Sequence, residues 1–230
     1  MERFWLSPAF LEWVVWRQVG KPQDPGPLER CYAIWEHARQ LIEERGADAF
    51  CRGDAILNLK RCLELRTRTL EACYRFRAIP LENKPKGHYE LLERYGVARP
   101  FLVRHLLEVR NAIEHQDAQA PDETRCRELL DVVWYYLKST DALTREVGTE
   151  FLFGQGEPYF VECELDHSRH QAAQLEGCVP ETEISGSPQP GDLPLSGTWE
   201  TVEGGRWFSG SLPASSPAYP RLIRRCLQAC

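Results

Sequence analysis

The stretch from Arg99 to Thr144 limits the fold most, because it carries helical periodicity twice, on either side of a short break. Leu102, Leu106, Val109 and Ile113 recur at steps of four, three and four, so Arg99 to about Gln116 reads as an amphipathic helix with one apolar stripe. Asp117-Ala118-Gln119-Ala120 interrupts the pattern. Pro121 then opens a second helix, with Asp122 and Glu123 in its first turn, where unpaired backbone N–H groups favour negative charge. This helix runs to about Glu146 and places Leu129, Leu130, Val133, Trp134 and Leu137 at helical spacing. The two segments predict a helical hairpin packed through apolar faces.

The flanking sequence extends the helical pattern toward the N-terminus. Leu28, Tyr32, Trp35, Ala38, Leu41 and Ile42 predict a helix to Gly46, and a longer one follows from Asp54, a good N-cap, to near Ala78. A short helix over His88–Tyr95 closes at Gly96. The Trp-rich start, Met1 to Gly20, holds Trp5, Trp13 and Trp16 and reads as a helix covering the core of its own chain, with a dimer contact as the alternative. Lys21 to Pro27 is a breaker that no helix can cross. After Gly148 the character changes. Phe151-Leu152-Phe153 and Tyr159-Phe160-Val161 flank one turn, Thr198–Val202 and Trp207-Phe208 flank another, and both read as hairpins. Gly177 to Gly197 reads as loop, and Tyr219–Gln228 as a last short helix. The expected organisation is a Trp-rich segment and linker over 1–27, a helical domain over 28–146, and an acidic hairpin appendage over 147–230.

The net charge of −6 conceals a division along the chain. Between Arg52 and Lys86 nine basic residues face four acidic ones, whereas Val147 to the end carries five basic and eleven acidic residues. The basic helix is a candidate RNA-facing surface through Lys60, Arg61, Arg66 and Arg68, against the plainer reading of a solvated helix face. Nine cysteines lack a regular frame, nothing resembles a secretory signal, and no run reaches membrane-spanning length. The expectation is a cytoplasmic protein with reduced thiols and no membrane partner.

Six residues offer chemistry: Arg110-Asn111-Ala112-Ile113-Glu114-His115, at the end of the first hairpin helix. A guanidinium can hold a phosphate through two parallel N–H bonds, and an imidazole titrating near neutrality can move a proton. Arg110 and His115 stand about 140° apart on an ideal helix, so they share one pocket only where the helix ends or a second subunit closes over it. Together they suit metal-free cleavage of RNA by its own 2′-hydroxyl, with no cofactor. The plainer alternative pairs Arg110 with Glu114 on the helix surface and makes His115 a C-terminal cap.

These residues resemble the signature of the HEPN superfamily: an Arg, four to six residues and a His, with a polar residue favoured after the Arg. Arg30 to His37 and Arg99 to His105 fit the loose spacing too, but lack the polar neighbour and the placement at a helix end. The resemblance spans about Leu28 to Glu146. It implies a mainly α fold, a four- to five-helix HEPN-like bundle, to which the residues after Gly148 add a small hairpin-containing C-terminal appendage. It further implies a metal-independent endoribonuclease of a toxin–antitoxin or antiphage system, with Arg110, Asn111 and His115 catalytic. The implied partners are RNA, a second copy in a homodimer, and an antitoxin or defence-system protein. Noncatalytic members imply an alternative, a scaffold that binds RNA, a nucleotide or a protein. Toxins paired with nucleotidyltransferase antitoxins often carry a modified Tyr two positions after the His, and here Asp117 stands there.

Cys163, His167, His170 and Cys178 form a second candidate set, with the ligand chemistry of tetrahedral zinc but the spacing of no finger pattern. A Walker-type loop, a dinucleotide fingerprint, a His-Glu-x-x-His helix and a nucleophile elbow are all absent from the sequence.

Overall fold

A computed structural model describes residues 2–98, 107–109, 111 and 119–229. The mainly α expectation is overturned by an eight-stranded antiparallel sheet that unites the two ends of the chain. The Trp-rich start is not a helix. It forms β1 (Glu2–Leu6), a 3₁₀ turn (Pro8–Glu12) and β2 (Val14–Pro22). Alternation explains β1, where Phe4 and Leu6 are buried on one face. Pro8 fits the first turn of the 3₁₀ segment, and Ser7 caps that turn by accepting from the Ala9 amide at 3.2 Å.

The helices interrupt a β-hairpin. Strand β2 pairs with β3 (Glu146–Gly156) from Val14↔Gly154 to Pro22↔Glu146, and residues 23–145 lie between the paired strands. The Gln23 amide donates to the Arg145 carbonyl at 2.9 Å, which closes the neck of the insertion, and Arg17 pairs with Glu146 at 2.8 Å beside it. Within the insertion, α1 (Gly26–Arg45), α2 (Ala49–Tyr74) and α4 (Glu123–Arg145) pack on one another, and α3 (His88–Arg94) is a short element between α2 and α4. Helix α2 begins earlier than Asp54 because Asp48 takes the capping role, accepting from the Phe50 amide at 2.8 Å. Helix α4 begins where expected, with Asp122 accepting from the Arg125 amide at 2.8 Å.

The remaining strands are β4 (Tyr159–Leu165), β5 (Ala172–Val179), β6 (Ile184–Ser185), β7 (Leu193–Val202) and β8 (Gly205–Pro213), followed by α5 (Tyr219–Leu227). The order across the sheet is β2-β3-β4-β5-β8-β7-β1-β6. The predicted hairpins therefore belong to one large sheet rather than an appendage, and Gly177–Gly197 contributes to β5, β6 and β7 rather than a loop.

The β1–β2 link dictates the shape of the sheet. Six strand spacings separate β1 from β2, about 29 Å if the sheet were flat. Residues 7–13, five of them in a 3₁₀ turn, reach about 20 Å. The sheet must curl. Its inner face holds Phe4, Phe153, Val161, Leu175, Leu195 and Phe208, and α5 packs against it with Tyr219, Leu222, Ile223 and Cys226 buried. The Arg225 guanidinium donates to the Leu11 and Trp13 carbonyls, which fastens α5 to the β1–β2 link.

Gly197 shows how closely the curled strands approach. A Cβ there would sit 2.0 Å from the Ser209 carbonyl oxygen and 2.6 Å from the Gly210 Cα. Gly197→Ala is expected to lower stability by about 1–3 kcal/mol in urea unfolding, because the strand backbones must separate. A variant as stable as the parent would show that β7 and β8 part freely.

Candidate functional site

Asn111 is helical and exposed, and Leu107 and Val109 beside it pack on the core. Arg110 and His115 lie outside the described residues, as does most of the predicted Arg99–Gln116 helix. The structure thus places one member of the signature, on a helical segment that precedes α4.

The basic helix is not a uniform RNA face. Arg66 is fully buried, which rules it out as an RNA contact. Its guanidinium donates to Asp141 at 2.9 Å and to Thr144 at 2.6 Å, and Asp141 also accepts from the Tyr32 hydroxyl at 2.7 Å. Burial, and then the hydrogen bond to that carboxylate, push the Tyr32 phenol above its usual range. Lys60 and Arg68 both pair with Glu64, one turn away on either side, and Arg61 is exposed. The sequence held a signal for Arg66. Leu59, Leu63, Arg66 and Leu70 step by four, three and four, so the arginine lies on the apolar stripe of α2.

The proposed zinc set does not converge. Cys163 lies opposite Leu175 and Cys178 opposite Phe160 in the β4–β5 register, so the two thiols project from opposite faces of the sheet. Both histidines are engaged elsewhere. Among the described residues, no three His, Cys, Asp or Glu side chains gather as metal ligands. The eight described cysteines are all unbridged, and all but Cys73 are buried.

His167 and His170 instead form a seam between the helices and the sheet. His167 Nε2 lies 2.8 Å from the Gly148 carbonyl, which can only accept, so Nε2 carries the proton and Nδ1 is a bare acceptor. Nδ1 is buried and has no hydrogen-bond partner. His170 Nε2 donates to the Tyr74 carbonyl at 2.6 Å, while its Nδ1 accepts from the Tyr219 hydroxyl at 3.1 Å. The Tyr74 ring meets His167 edge-on at 4.9 Å, and His167 meets His170 at 5.7 Å. Residues from α2, β3, the β4–β5 link and α5 thus join through two neutral imidazoles. Burial pushes His167 down to about 4 and lowers His170 as well.

A cleft of about 680 Å³ opens between the segment after α2 and the start of α5. Lys84, Arg94, Arg221 and Arg224 line it, against Glu82. Only Lys84 of these stood out in the sequence, as part of the basic segment; Arg94 and the Arg221/Arg224 pair lie more than a hundred residues apart, so no local pattern joins them. No family model, curated protein or solved structure matches this chain.

Proposed function

We propose that this chain is a metal-independent endoribonuclease of the HEPN type that works as a homodimer in a toxin–antitoxin or antiphage setting. What supports this reading is Asn111, which is helical and exposed ahead of the long helix α4, with Leu107 and Val109 against the core. In this reading Arg110 holds the phosphate, Asn111 orients it or the imidazole, and His115 moves the proton. The RNA 2′-oxygen forms a bond to phosphorus as its proton leaves, and the bond from phosphorus to the 5′-oxygen breaks as that oxygen gains a proton. The product carries a 2′,3′-cyclic phosphate.

Purified protein incubated with mixed RNA in EDTA is expected to cleave it, and His115→Ala to cleave at least about a hundredfold more slowly. Equal cleavage by both proteins, or none by either, removes the enzyme. A second copy is needed if Arg110 and His115 from two chains complete one groove. A solution mass showing only monomer counts against that composite site.

A further inference from the structure

The geometry points to a phosphate-backbone binding site in the cleft lined by Lys84, Arg94, Arg221 and Arg224, with single-stranded RNA as its occupant. Naming RNA rests on the ribonuclease reading; the phosphate chemistry rests on the cleft itself.

Several exposed cations elsewhere on the helices are neutralised by nearby acids, although Arg30 and Arg61 stand unpaired among the described residues. Arg39 lies between Glu36 and Glu43, Arg125 pairs with Glu128, and Arg127 with Glu123. In the cleft that pattern fails. The Arg94, Arg221 and Arg224 side chains have no hydrogen bond or ion pair among the described residues, and Lys84 gives one N–H to the Arg77 carbonyl at 2.8 Å. Among the described residues four cations therefore face Glu82 alone, a local excess of positive charge on a chain whose net charge is −6.

The cations also come from separate parts of the fold. Lys84 and Arg94 belong to the segment leading through α3, whereas Arg221 and Arg224 stand three apart on α5 and share a side of it. The Arg224 side chain passes over Gly96, where a Cβ would lie 3.4 Å from its Nε, so this α5 arginine reaches the turn that follows Arg94. Like charges brought together over a concavity without counter-charges form a binding surface for an anion with several phosphates.

The lining favours a polymer over a nucleotide. Among the described residues it holds no aromatic ring, so nothing there stacks on a base, and the rest is proline, leucine and serine. Arg94, Arg221 and Arg224 are exposed along an open groove, which suits successive phosphates of one strand.

The test is fluorescence anisotropy with a 2′-O-methylated oligoribonucleotide, which binds as RNA but cannot be cut. The combined variant Arg94→Ala/Arg221→Ala/Arg224→Ala is expected to bind at least about tenfold more weakly, with a salt dependence shallower by about 2 in log–log slope. Arg39→Ala, outside the cleft, should bind like the parent. Failure of the parent to bind at low salt, or an unchanged triple variant, overturns the site. Arginine-dependent binding in a protein that cleaves no RNA keeps the site and discards the ribonuclease. Cleavage with unchanged binding by the triple variant does the reverse.

Discussion

Asp141→Ala is expected to destabilise the protein by about 3–5 kcal/mol in chemical denaturation, because it strands a positive charge in the helical core. The Arg66 side chain is only 1% exposed, and Asp141 accepts its strongest contact. Without that carboxylate, Arg66 keeps Thr144 as a neutral partner, its Nε already has none, and the Tyr32 hydroxyl loses its acceptor. Lys138 and Arg145 stand 4.0 and 3.9 Å from Asp141, so the variant also gathers cations around the vacancy. Replacing both partners by apolar residues, Arg66→Met with Asp141→Leu, should recover most of the loss, since no unpaired charge stays buried. An Asp141→Ala protein within about 1 kcal/mol of the parent would show that water reaches Arg66, and would refute the buried pair.

Acid should loosen the seam between helices and sheet well before the carboxylates titrate. The His167 imidazole has its ordinary value of 6.5 in the unfolded chain and about 4 in the folded one. The unfolded state thus binds the proton first. The stability His167 contributes is complete above the unfolded value and is lost as the pH falls through that interval. The expected loss is about 2 kcal/mol by about pH 5 and about 3 kcal/mol by about pH 4. Geometry gives the same sign, because protonated Nδ1 would be a buried donor facing no acceptor. Its surroundings are mixed: the Gly148 carbonyl and Asp166 favour the protonated form, His170 and Lys21 oppose it, and desolvation, the largest influence, decides the sign. Unfolding measured from neutral pH to about pH 5 should be steeper for the parent than for His167→Gln, whose amide can still donate to Gly148. Identical pH profiles would remove His167 as the group responsible.

Both predictions rest on residues that the sequence showed in the wrong role. Arg66 counted toward a basic surface, although its place on the apolar stripe of α2 and that of Asp141 on α4, four after Leu137, pointed to a buried pair. Two charged residues on facing apolar stripes must meet or be expelled. His167 and His170 had the ligand chemistry of a metal site, but their carbonyl and hydroxyl partners come from residues 19 to 96 positions away. No local spacing encodes those distances.

The sequence by itself determined α1, α3, α4 and α5 with their ends to within about two residues, whereas α2 starts at Ala49 rather than after Asp54. Helical periodicity, the Asp122 cap, Gly46 and Gly96 are local devices, and they act within a few residues of the turns they start or stop. It also determined the two hairpins, through short-range pairing and the turn at Gly204, whose φ of +81° suits glycine. Only the tertiary structure decided that the N-terminal Trp-rich segment is strand. Phe4 finds its partner at Leu195 and Val15 at Phe153, across the whole helical insertion. A strand is stabilised by neighbours rather than by its own hydrogen bonds, so a segment whose neighbours lie so far along the chain carries no local record of its fold.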